Sequence, residues 1–156
     1  MPDGPDGKII INSGDLVLNK EGRWLFRGGE ITHAGIVAAL WNSFERLESG
    51  GYVIRQGKFY VPVVVEDAPY VVESTRDDDG VVIILSDSSR EKLDPDNFWI
   101  SDEHVPYTLV KGEKFLARFS RTAYSQLFDK LQEEGGRYYM RVGGKLHEIK
   151  KGRPNL

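Results

Sequence analysis

The chain has 156 residues, 40 % of them hydrophobic and 29 % charged, a composition that suits one compact domain or two small ones sharing a core. Its net charge is −3, from 21 Lys and Arg against 24 Asp and Glu, and the interspersed signs argue against polymeric nucleic acid as a partner. It contains no cysteine, which excludes disulfides, thiolate nucleophiles, zinc ribbons and iron–sulfur clusters.

The opening MPDGPDG, residues 1–7, reads as a disordered leader. It lacks the basic and apolar regions of a signal peptide. No apolar run approaches the ~20 residues of a membrane span, so no membrane partner is expected and a cytoplasmic location is. A chain of this size buries roughly 70 % of its unfolded surface, enough for a core without staples.

Ile9 to Ile11 is apolar without a clear role. Leu16 to Phe26 reads as two β runs around Asn19-Lys20-Glu21-Gly22. Thr32 to Leu47 reads as a helix capped by Thr32, with Ile36, Val37, Leu40, Trp41, Phe44 and Leu47 on one buried stripe. Gly50-Gly51 ends it. A hairpin turns at Gln56-Gly57. Val71–Ser74 and Val81–Leu85 flank a turn at 75–80, the strongest hairpin signal in the chain. Residues 87–97 form a polar connector. Short strands follow at Phe98–Ile100, Tyr107–Val110 and Lys114–Phe119. A second helix is predicted from its cap Ser120 to Glu134, with Tyr124, Leu127, Phe128 and Leu131 buried, and a last hairpin around Gly143-Gly144.

The halves look alike. Each reads as strands, a hydroxyl cap, a helix, Gly-Gly and a hairpin. Gly50-Gly51 matches Gly135-Gly136, Tyr52 matches Tyr138, Arg55 matches Arg141, and Gly57-Lys58-Phe59 matches Gly144-Lys145-Leu146. The expected fold is α+β, with two tandem related units at 8–68 and 69–150, each a small antiparallel sheet or partial barrel under one helix, and a tail at 151–156. Lys150, Lys151 and Arg153 read as a solvated terminus.

The stretches GRWLFRGGEI, GGYVI, VVVEDAPYVV and LARFSRTAYSQL…GGRYYMRVGGKLHEI carry a resemblance. Across residues 14–149 the chain resembles the bacterial domain-of-unknown-function 1285 family, with Val65-Glu66-Asp67-Ala68-Pro69-Tyr70 the most specific element. The Lys-rich end departs from the family, which is more apolar there. The resemblance implies a duplicated α+β fold and a C-terminal half like pleckstrin-homology folds. It also implies a nucleotide-like small-molecule ligand at the interface of the halves and a role in signalling.

The residues themselves nominate few chemical groups. Glu66 and Asp67 are adjacent, so on a regular strand they face opposite ways; Pro69 favours a bend that re-aims them. A structural reading has one acid pairing or capping and the other facing water. A functional reading makes them ligands for a cation, amine or ribose hydroxyl. Arg55 and Arg141 offer forks for an anion. Arg27, just before the first helix, adds a second anion contact, and Tyr70 lies beside the acids. These six residues are the candidate ligand site. The triple aspartate 77–79 lacks calcium-loop spacing, the three histidines lack metal spacing, and no nucleophile elbow or phosphate loop is present. The pattern names no catalytic residue, metal or cofactor and leans away from an enzyme. The leading expectation is a ligand-binding or signalling module; the alternatives are a metal-assisted hydrolase using Glu66 and Asp67, and a protein-interaction scaffold. Oligomeric state is left open.

Overall fold

The computed structural model describes residues 13–156; the expected leader and the Ile9–Ile11 run lie outside the described residues. The chain divides into two compact units, Met1–Asp67 and Ala68–Leu156. The fold is α+β, dominated by strands.

In the first unit β1 (Leu16–Leu18), β2 (Trp24–Phe26) and β3 (Gly29–Glu30) precede helix α1 (Ala34–Asn42). Then come β4 (Phe44–Arg46), β5 (Tyr52–Gln56) and β6 (Phe59–Val65). They form one sheet in the order β3-β2-β1-β6-β5-β4. The β1–β2 turn follows from Asn19, whose side-chain oxygen accepts the amides of Glu21 and Arg23 at 3.1 and 2.8 Å, an Asx-type turn that needs no tertiary help. Strand β6 runs parallel to β1, Val17 opposite Val64, and antiparallel to β5. Leu16, Leu18, Trp24, Phe44, Ile54 and Val63 are buried. Within this core the rings of Trp24, Trp41 and Phe44 meet edge to face at 5.0 to 5.8 Å, the geometry the ring quadrupoles favour.

Helix α1 is shorter than the predicted Thr32–Leu47. His33 rather than Thr32 is its cap, with Nδ1 accepting the Ile36 amide at 3.3 Å. Phe44 leaves the helix to pair with Ile54 in β4 and still delivers its ring to the core. The predicted buried stripe does not form. No residue of α1 is buried, and Ile36 is 50 % exposed. Apolar periodicity cannot separate a helix from a helix followed by a strand, because the deciding bonds come from β5, a remote segment.

The second unit begins with β7 (Tyr70–Asp77), β8 (Val81–Leu85), β9 (Arg90–Lys92), a 3₁₀ turn (Pro95–Asn97), β10 (Phe98–Ile100), β11 (Pro106–Val110) and β12 (Phe115–Phe119). It continues with helix α2 (Arg121–Ser125), a 3₁₀ turn (Phe128–Lys130), β13 (Leu131–Glu134), β14 (Arg137–Val142), β15 (Lys145–Glu148) and β16 (Lys150–Lys151). A seven-stranded sheet runs β16-β10-β11-β12-β7-β8-β9, and a three-stranded meander runs β13-β14-β15. Strands β12 and β7, and β10 and β16, pair in parallel. On β8, Val81, Ile83 and Leu85 are buried while Val82 and Ile84 are half-buried, the period-2 signature of a strand with one core face.

Three expectations are corrected here. The connector at 87–97 contains β9 and a 3₁₀ turn, whose cap Asp94 accepts the Asp96 amide at 3.0 Å. The predicted helix 120–134 keeps its cap, since Ser120 Oγ accepts the Ala123 amide at 3.1 Å, but lasts only to Ser125. Leu127 then plugs the core, Phe128 turns outward at 57 % exposure, and Leu131 pairs with the fully buried Met140. Lastly, Lys150-Lys151 is not a loose end: it adds to the sheet beside Trp99 and Ile100.

Helix α2 is tied to β7 at a β-bulge between Val72 and Ser74. The Ser120 hydroxyl donates to the Glu73 carbonyl at 3.0 Å, and the Gln126 side-chain oxygen accepts the Thr75 amide at 2.6 Å. The bulge leaves an unpaired carbonyl, and the helix entry supplies its donor.

Both units place a helix before a three-stranded meander. Glu45 faces Val53 across β4–β5, with Arg55 two residues on. Gln132 faces Tyr139 across β13–β14, with Arg141 two residues on. Tyr52 and Tyr138 share one register, as do Arg55 and Arg141. The turn Gly57-Lys58 stands where Gly143-Gly144 does, one residue off the predicted match. Beyond the meanders the layouts diverge, since β6 goes on to pair with β1 while β15 ends its sheet.

Candidate functional site

Of the six residues nominated from sequence, Arg27, Arg55, Glu66 and Asp67 belong to the first unit and Tyr70 and Arg141 to the second. Strand β6 ends at Val65 and β7 starts at Tyr70, so Glu66 and Asp67 lie in a bend, as Pro69 suggested. The Glu66 amide donates to the Leu18 carbonyl at 3.0 Å while its side chain is exposed, and Asp67 is half-buried. Arg55 donates from Nε to Glu45 and lies over the Tyr60 ring at 4.5 Å. Arg27 pairs with Asp15 at 3.2 Å and adopts φ +49. Arg141 reaches Gln132 at 3.4 Å. Tyr70 is a core residue, its ring edge-on to Phe115 at 5.2 Å. Burial, reinforced by the charges of Asp87 and Glu91, pushes its phenol pKa far up.

Around Tyr70 lies a polar cluster. Lys111 Nζ donates to Asp87 Oδ2 and to Ser89 Oγ, both at 2.7 Å, and sits 5.3 Å above the Tyr70 ring. Burial opposes the Asp87 charge, but the bonds from Lys111 and Ser89 outweigh it and hold its carboxyl below the usual range. A lysine beside a serine suggests nucleophile activation, but an ammonium bridged to a carboxylate cannot act as a base. The cluster is structural.

A cavity lies elsewhere in the second unit. It has a volume of about 230 Å³, is open to solvent on one side, and is lined by Ile100, His104, Tyr124, Leu131, Gln132, Glu133, Tyr138 and Ile149. Each wall has a local cause. Ile100 ends β10, and His104 follows in a tight loop whose amide donates to the Ser101 carbonyl at 2.9 Å. That loop sets His104 at φ +62, a left-handed conformation that His tolerates better than most residues. Tyr124 comes from α2 and packs edge-on against Phe128 at 5.1 Å. Burial, then the nearby Tyr138 phenol, push the Tyr124 pKa up, so its hydroxyl remains a neutral donor at ordinary pH. Leu131, Gln132 and Glu133 come from β13 and Tyr138 from β14, facing Glu133 in register. Ile149 closes the cavity, its amide donating to the Tyr138 carbonyl at 2.8 Å.

The lining therefore combines the apolar Ile100, Leu131 and Ile149, two tyrosines, and the polar residues His104, Gln132 and Glu133. This combination seats a ring and orients it with a few hydrogen bonds. Sequence reasoning missed it. The three histidines, His104 among them, lack metal spacing, Tyr124 falls on the predicted buried helix stripe, and Tyr138 falls in the last hairpin as the match of Tyr52. Its lining is drawn from residues 100 to 149, with no motif spacing to expose it.

Among the described residues no three His, Asp or Glu side chains gather to hold a metal ion, and no helix is long and apolar enough to cross a membrane.

No family model and no curated protein matches the chain. Solved structures do. A DUF1285 family protein from Silicibacter pomeroyi DSS-3 is similar at a TM-score of 0.70 and 17 % identity, over 90 % of this chain and 84 % of that one. A DUF1285 family protein from Shewanella baltica OS155 is similar at 0.60 and 16 %, over 74 % of this chain and 91 % of that one. At these identities the likeness speaks for the backbone alone, and it covers most of each chain: the α+β fold described here is the fold of the DUF1285 proteins.

Proposed function

We propose that this protein is a small-molecule-binding module whose ligand sits in the tyrosine-lined cavity of the second unit. The observation that carries this reading is the cavity itself. Its volume near 230 Å³, open to solvent on one side, exceeds the ~150 Å³ that accommodates a benzene ring and falls just below the roughly 300 Å³ typical of drug-sized sites. It suits one aromatic or heteroaromatic ring system rather than a peptide. Tyr124 and Tyr138 bring aromatic rings to its lining, and His104, Gln132 and Glu133 bring donors and acceptors.

Titration calorimetry with 1-naphthol tests the reading. The ring should bind the folded protein, and Tyr138→Ala should weaken it about three- to tenfold, the loss of one aromatic contact. Tyr138 is half-exposed, so the variant should keep its melting temperature. Absence of binding at millimolar 1-naphthol, or equal binding by Tyr138→Ala, sinks the proposal.

A further inference from the structure

A second depression adjoins the cavity and shares Tyr138 and Ile149 with it. It is an open depression of about 550 Å³, and its remaining lining is Arg137, Glu148, Lys150 and Lys151. The surrounding sequence is unusually basic for a chain of net charge −3: residues 137–153 hold six lysines and arginines against one glutamate. Strand pairing fixes that charge in place, because β16 carries Lys150 and Lys151 alongside β10, with Trp99 opposite Lys150 and Ile100, a cavity residue, opposite Lys151.

The cations differ in how far they are already engaged. Lys150 lies over the Trp99 ring at 4.7 Å, which occupies its ammonium. Arg137 faces Glu148 at 3.7 Å, beyond hydrogen-bond distance, so its guanidinium donors are not consumed by that pair. Among the described residues no carboxylate pairs with Lys151. Two cations therefore stand beside the mouth of a ring-sized cavity. Glu133 lines the cavity and not the depression, so the negative group among the lining residues of the depression is Glu148.

Resting on the cavity reading above, we infer that the ligand is an aromatic anion: its ring lies against Tyr124 and Tyr138, and its phosphate or carboxylate is held by Arg137 and Lys151. A guanidinium fork and a point ammonium together suit a tetrahedral or planar anion. The contact is solvent-facing, so each cation contributes modestly and the preference weakens with salt.

The test compares 1-naphthol with 1-naphthyl phosphate, which share a ring and differ by the anion. Binding of both to the full chain is measured by calorimetry at low and high salt, with inorganic phosphate as competitor. The phosphate ester should bind about tenfold more tightly at low salt, as two modest charge contacts allow. Arg137→Gln combined with Lys151→Gln should erase that preference and leave 1-naphthol binding unchanged, which also shows that the variant is folded. Equal affinity for the two probes, or a preference that survives the double substitution, overturns the anion assignment while leaving the cavity in place. If neither probe binds, the cavity reading falls and this inference falls with it.

Discussion

The His147 imidazole stands 2.7 Å from the Asp96 carboxylate, joining β15 to the 3₁₀ turn before β10. The contact ties the meander that forms one wall of the cavity to the seven-stranded sheet that forms another. His147 is nearly buried, at 11 % side-chain exposure, and Asp96 is open, at 71 %.

The bond from His147, aided by Lys145 and Lys150 and opposed by slight desolvation, holds the Asp96 pKa below its ordinary value. A carboxyl whose folded pKa is depressed contributes stability that is present above its unfolded value near 4 and lost as pH falls through the folded value. Asp96→Asn should therefore melt at a lower temperature than the parent at pH 6, and the gap should close as pH drops below about 4. A gap that persists unchanged at pH 2.5 refutes the assignment.

Lys111 combines a partly buried ion pair with a left-handed backbone, φ +58. Lys111→Ala removes the partner of Asp87 and keeps the strain. It should cost about 1–3 kcal/mol, less than a fully buried pair because both side chains retain some solvent. Lys111→Gly loses the same pair but relieves the backbone, and should be about 1 kcal/mol more stable than the alanine variant. Urea denaturation of both variants decides it; equal midpoints would show that the strain is not felt.

Ser120 serves two elements, capping α2 through Ala123 and donating to the bulge carbonyl of Glu73. Ser120→Ala should cost about 1–2 kcal/mol. Ser120→Asp keeps the cap acceptor but cannot donate to Glu73, so its loss should be intermediate. If the aspartate variant is no better than alanine, the cap is not what stabilises this junction.

How much of this was readable beforehand depended on how local each feature is. The hairpins at 71–85 and 137–148 were legible because turn chemistry declares itself within a few residues. Gly143 and Gly144 take φ +58 and +77, and Gly80 takes +110, values that glycine adopts freely. The Ser120 cap was legible for the same reason, as was the bend at Glu66. The helix ends were not. Phe44–Arg46 and Leu131–Glu134 continue an apolar spacing compatible with a helix, yet their backbones pair with β5 and β14.

The sequence by itself determined the class of fold, the main turns and the Ser120 cap. Tertiary structure alone decided the parallel pairings of β1 with β6, β7 with β12 and β10 with β16, whose partners lie 47 to 51 residues apart. It also decided the cavity. Residues as distant as Ile100 and Ile149 become neighbours only because the sheet and the meander are closed around them, and no local preference encodes a contact at that separation. Charge shows the same division: the basic stretch is visible as composition, but only the pairing of Lys150 and Lys151 with β10 makes it the lining of a depression.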